Sequence, residues 1–166
     1  DAGCEGYKAH LDAAKTYREA VTAPIALIVA KGFVPYVKGM ALKAGDKVYL
    51  NNRGKALLAA TIGTRPITDG VTIAAAHIDS PRIDLKPVPL AEKGGFAYFD
   101  TRYYGGIKTY QWVVRPLALY GVVCRKDGTT VTVTIGEDDN DPVLVVSDLL
   151  IHLSADQMKK PLAEGI

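Results

Sequence analysis

The chain has 166 residues, 48% hydrophobic and 23% charged, with 20 Lys and Arg against 18 Asp and Glu. That balance excludes wholesale disorder and fits one domain or two small ones, long enough to bury a core without disulfides or metal. A net charge of +2 with scattered basic residues argues against nucleic acid as a partner, no apolar run approaches the roughly 20 residues that cross a bilayer, and Cys4 and Cys124 form no CxxC pair, so a cytoplasmic protein with no membrane partner is expected.

Residues 5–21 place Tyr7, Leu11, Ala14, Tyr17 and Val21 at spacings of three and four, the period of an amphipathic helix. A second helix is predicted over 24–31, with Thr22 as cap, Pro24 in the opening turn and Gly32 as a left-handed stop. Two short apolar-rich runs, 47–51 and 55–62, flank Asn51-Asn52-Arg53-Gly54 and read as a hairpin. Residues 71–76, Val-Thr-Ile-Ala-Ala-Ala, have the pattern of a strand buried on both faces, with His77 at its carboxyl end. Further strands are predicted over 82–86, 96–100, 117–125 and 129–135, the last two joined by Lys126-Asp127-Gly128. Pro87, Pro89, Gly94 and Gly95 interrupt the pattern over 88–95, which divides the chain into an α/β part, 1–89, and a β-rich part, 90–166.

Histidine chemistry must draw on His10, His77 and His152, the three histidines of the chain. His10 lies on a polar helix and reads as a solvated surface residue. His77 is different, because ligands gather beyond the carboxyl ends of strands in open α/β sheets. Asp79, two residues on, would point the same way along an extended segment and orient the imidazole, as the outer partner of a metal-ligating histidine does; a plain polar pair in a loop fits the same spacing. Residues 137–141, Glu-Asp-Asp-Asn-Asp, resemble a calcium loop in composition but lack its glycine and its terminal bidentate Glu, and read as a solvated turn. Tyr103-Tyr104-Gly105-Gly106 reads equally as a substrate loop or an ordinary turn, and His152, in an apolar segment, as a core residue.

The run His77-Ile78-Asp79-Ser80-Pro81-Arg82-Ile83-Asp84-Leu85-Lys86-Pro87 resembles the metal-binding signature of the aspartyl aminopeptidase and aminopeptidase I family of dinuclear zinc exopeptidases. Tyr103-Tyr104-Gly105-Gly106-Ile107, Tyr110-Gln111-Trp112, Arg115-Pro116-Leu117 and Asp148-Leu149-Leu150-Ile151-His152-Leu153 are similar to further family segments in the same order. The resemblance implies an α/β fold: the N-terminal part of a zinc-exopeptidase α/β sandwich, followed by an inserted β-rich dimerisation domain. It implies that His77 binds one of two divalent metal ions, zinc or cobalt, that Asp79 is the catalytic residue orienting it, and that His152 reaches toward the substrate of a neighbouring subunit. Peptide substrates and a homo-oligomer follow as expected partners. The family's bridging Asp, Glu–Glu pair, further carboxylate and last His have no counterpart here, so the chain reads as a piece of the enzyme; the alternative is a catalytically silent β-rich self-association module.

Overall fold

The helical period over 5–21 is broken in the structure, a computed structural model describing residues 1–166. Helix α1 spans Ala2–Ala13, its amino end closed by the Asp1 carboxylate, which accepts the Gly3 N–H at 3.0 Å. Helix α2 spans Glu19–Val29. Between them, Thr16-Tyr17-Arg18-Glu19 forms half of a capping box: Glu19 Oε2 accepts the Thr16 N–H at 3.0 Å and also bonds the Thr16 hydroxyl. Satisfying these otherwise orphaned donors starts a new helix where the apolar spacing alone runs on. Pro24 consequently falls inside α2 rather than in its opening turn. Thr22 sends its hydroxyl back to the Arg18 carbonyl at 3.1 Å instead of capping. Gly32, at φ 84°, supplies the expected left-handed stop.

The chain forms two compact units, Asp1–Ser80 and Pro81–Ile166. In the first, strands β2 (Lys47–Asn52) and β3 (Ala56–Thr61) pair antiparallel from Lys47↔Thr61 to Asn52↔Ala56. Short β1 (Val34–Pro35) adds in parallel to β2. The predicted hairpin is present: Arg53 and Gly54 take φ of 58° and 66°, and Asn51 Oδ1 accepts the Gly54 N–H at 2.8 Å. Ala20, Val21 and Val48 are the buried apolar residues of this unit.

The strand predicted over 71–76 is absent, and Val71 and Ile73 are 61% and 77% exposed. A strand buried on both faces needs hydrogen-bonding neighbours, and the order β1-β2-β3 contains no strand paired with this run. Residues 70–80 are a loop following the 3₁₀ turn Ile67–Asp69.

The second unit contains two hairpins. Strand β4 (Arg82–Lys93) pairs with β5 (Phe96–Tyr104), so the interruption expected over 88–95 is instead strand and turn. Pro87 and Pro89 sit where the register shifts, between the paired residues Leu85 and Leu90; an irregularity of that kind accommodates residues that have no N–H to donate. Strands β6 (Leu119–Cys124) and β7 (Thr130–Ile135) pair as predicted around Lys126-Asp127-Gly128, where Asp127 Oδ1 accepts from the Thr129 N–H at 2.9 Å and its hydroxyl at 2.7 Å. Single bridges Val113↔Val146 and Leu117↔Leu144 tie later residues to this unit, and Val113 is buried. The architecture is thus mixed α/β with small sheets, and no helix is long and apolar enough to cross a membrane.

Candidate metal-binding site

The loop after Gly70 leads to His77 and Asp79, and the structure brings these two together. His77 Nδ1 lies 2.9 Å from the Asp79 main-chain oxygen and 3.4 Å from Asp79 Oδ1. A carbonyl oxygen can only accept, so a bond at this distance places the proton on Nδ1. In the neutral ring Nε2 then carries the lone pair, as a metal ligand requires. The His77 side chain is 86% exposed, which leaves that nitrogen accessible.

Sequence spacing anticipated the partner but not the closer contact. Residues 71–80 are not a strand, and although the two side chains face each other at 3.4 Å, the carbonyl of Asp79 lies nearer the ring, at 2.9 Å. Main-chain acceptors carry no residue signature, and none could have been read beforehand.

His152 belongs to the second unit, in the 3₁₀ turn Ile151–Leu153. Its neighbours Ile151 and Leu153 are 62% and 71% exposed and His152 itself is exposed, so the segment does not pack as core. His10 stands in the last turn of α1, half-buried rather than fully solvated.

No three His, Cys, Asp or Glu side chains are grouped to hold a metal, so His77 has no second candidate ligand gathered beside it beyond Asp79. The acidic run 137–141 closes a turn instead: the Asp141 carboxylate accepts N–H groups from Gly136 at 2.7 Å and from Glu137 and Asp138 at 3.3 Å. These bonds, Gly136 foremost, hold the Asp141 carboxyl below its usual range. Tyr103 and Tyr104 lie in β5, and Gly105 turns the chain at φ 74° against Pro81.

One side-chain cluster escaped the sequence reading. Arg82 Nε donates to Asp84 Oδ1 at 2.7 Å, Arg82 Nη2 faces Asp84 Oδ2 at 3.4 Å, and the guanidinium lies 3.9 Å from the Tyr104 ring centroid. Alternating charge at Arg82 and Asp84 was the available signal, since residues two apart on a strand share a face.

Comparison with known proteins gives the family of the chain. A family model described as aminopeptidase I zinc metalloprotease (M18) matches residues 10–164. A probable M18 family aminopeptidase 1 from Clostridium acetobutylicum is 50% identical over 164 residues, 96% of this chain and 35% of the relative. The crystal structure of aminopeptidase I from the same organism superposes with a TM-score of 0.84 at 48% identity, covering 98% of this chain and 36% of that one. An M18 aminopeptidase structure from Thermotoga maritima gives 0.88 at 39% identity, with the same coverage of 98% and 36%. The chain therefore spans about a third of the length of the relatives it matches. With nearly all of its residues inside the family model, this chain belongs to the aminopeptidase I (M18) family of zinc metalloproteases.

Proposed function

We propose that these residues form part of a metal-dependent aminopeptidase that removes single residues from peptide N-termini, with His77 as a ligand to one of two divalent ions, zinc or cobalt. The observation that carries the proposal is the His77 ring, whose Nδ1 faces Asp79 and whose Nε2 is left accessible, within an M18 chain. The donor chemistry fits zinc, which takes neutral imidazole nitrogen. When bound, the paired ions polarise the scissile carbonyl and acidify a water molecule.

The chain's own residues do the positioning. Asp79 holds the His77 proton on Nδ1, through its carbonyl at 2.9 Å with the carboxylate alongside, and so directs Nε2 outward. In this reading residues 1–89 belong to the catalytic α/β sandwich and 90–166 to the inserted dimerisation domain, from which His152 reaches a neighbouring subunit's substrate in a cytoplasmic homo-oligomer. The test is His77→Ala in the complete enzyme containing these residues. The variant should lose one metal and peptide hydrolysis; full metal content with wild-type turnover would overturn the assignment.

A second reading has its own support. A catalytic zinc takes about three protein ligands, and no such group is assembled within these 166 residues. One face of the β4–β5 hairpin carries Ile83, Leu85, Leu90, Phe99 and Tyr103, with Leu90 67% and Tyr103 64% exposed. The 166 residues alone would then be a catalytically silent module that self-associates through its β-rich half. Purified, they should hydrolyse no peptide with added zinc or cobalt and should sediment as a dimer or larger. Strictly monomeric protein would refute that version.

A further inference from the structure

We propose that Asp148, Ser154 and Gln157 are positioning residues for His152, clasping residues 148–157 into a preformed loop that presents the imidazole; this rests on the reading of His152 as a group that meets substrate. Every member of the clasp lies within the unit Pro81–Ile166. His152 sits exposed in the 3₁₀ turn Ile151–Leu153, between Leu150 and Leu153, each 71% exposed. Packing therefore holds this turn weakly, and hydrogen bonds hold it instead. The Leu153 N–H donates to the Leu150 carbonyl at 2.8 Å. Ser154, buried at 4% exposure, donates its hydroxyl to the Ile151 carbonyl at 3.2 Å. The Ser154 carbonyl in turn accepts the Met158 N–H at 2.9 Å, which couples the His152 turn to the next one, Gln157–Lys159.

The two ends of the loop meet. Gln157 Nε2 donates to Asp148 Oδ1 at 2.9 Å, and the same oxygen accepts the Leu149 N–H at 2.8 Å. Two residues before Asp148, the Val146 carbonyl accepts the Val114 N–H at 2.8 Å, beside the bridge from Val146 to buried Val113, so the loop is rooted where the unit is packed. An exposed bond between two polar side chains adds little to global stability; its use is local, fixing where the loop and the imidazole on it are held. A side chain that must reach a ligand beyond its own unit binds it more tightly from a loop ordered beforehand, because the ordering entropy is not then drawn from binding.

The experiment measures KM and kcat of the complete enzyme on a chromogenic aminoacyl anilide, with hydrogen exchange over 148–158 and melting temperature recorded for each variant. Gln157→Leu and Asp148→Ala should each speed exchange over the loop and raise KM about 2–10-fold, the worth of one hydrogen bond, with kcat and melting temperature nearly unchanged. Asp148→Asn, which keeps an Oδ1 acceptor, should recover the KM that Asp148→Ala loses. In a His152→Ala background Gln157→Leu should raise KM no further, because the loop then has no imidazole to present. A merely structural role would raise KM equally with His152 present or absent, and that result overturns the proposal. If His152→Ala raises KM while neither Gln157→Leu nor Asp148→Ala does, the clasp alone is refuted. If His152→Ala leaves KM and kcat at wild-type values, the underlying substrate reading of His152 fails, whatever the exchange rates show. Should Gln157→Leu fail to fold, Asp148→Ala is judged by the same cycle.

Discussion

Asp79 approaches His77 through two oxygens, and they need not be equivalent. Asp79→Ala removes the carboxylate at 3.4 Å and leaves the carbonyl at 2.9 Å in place, so the ring keeps its tautomer. Zinc affinity of the complete enzyme should fall about tenfold rather than vanish, as chelator competition would show; total loss of zinc would mean that the carboxylate, not the carbonyl, holds the ring. A second residue-scale prediction concerns Gly136, at φ 100°, where a Cβ would lie 3.0 Å from the Ala118 Cα and 3.1 Å from the Leu117 oxygen. Gly136→Ala combines backbone strain with a contact against main chain and should cost roughly 1–3 kcal/mol in urea denaturation. The pairing of His77 with Asp79 was legible in the sequence because two residues at that spacing can face each other. The carbonyl contact was not, since any residue at position 79 supplies the same oxygen.

At the scale of elements, local chemistry decided what could be read. The hairpins β2–β3 and β6–β7 were legible because Asn51-Asn52-Arg53-Gly54 and Asp127-Gly128 favour turn conformations by themselves. The break between α1 and α2 lies at 14–18 rather than at the expected 22–23, because apolar spacing continues through it, while the decisive signal, Thr16-x-x-Glu19, concerns donors rather than burial. Glu19→Ala should therefore lower stability by about 1 kcal/mol and reduce helical circular dichroism; an unchanged melting curve would show that the cap contributes nothing. The run 71–76 has strand composition without a strand neighbour, and pairing is a nonlocal property that composition does not carry. The β6–β7 end also predicts a pH dependence. Hydrogen bonds hold the Asp141 carboxyl below its ordinary value of 3.8, so its stabilising effect is present above that value and is lost as pH falls through the lower folded one. Asp141→Asn should flatten the acid limb of urea midpoint against pH; an unaltered limb would assign acid sensitivity elsewhere.

For the molecule as a whole, the succession of predicted helices and strands, together with the family resemblance, foretold a mixed α/β chain, but not how much apolar surface it leaves uncovered. Leu90, Phe99 and Tyr103 remain 67%, 44% and 64% exposed on one face of β4–β5, a two-stranded sheet that by itself is marginal in water. If self-association covers this face, Leu90→Lys with Phe99→Lys should shift sedimentation of the 166 residues toward monomer. An unchanged sedimentation coefficient would place the interface elsewhere. The relatives matched are about three times as long as this chain, which accounts for 35% of the first of them, and one imidazole here must be joined by other donors before a zinc ion is held for hydrolysis. The proposed hydrolysis accordingly depends on which nitrogen of His77 meets that ion. A crystal structure of the zinc-loaded complete enzyme tests this directly. The predicted result is His77 Nε2 at about 2.0–2.1 Å from zinc with Nδ1 still donating to Asp79; zinc on Nδ1, or no metal within bonding distance of the ring, would contradict it.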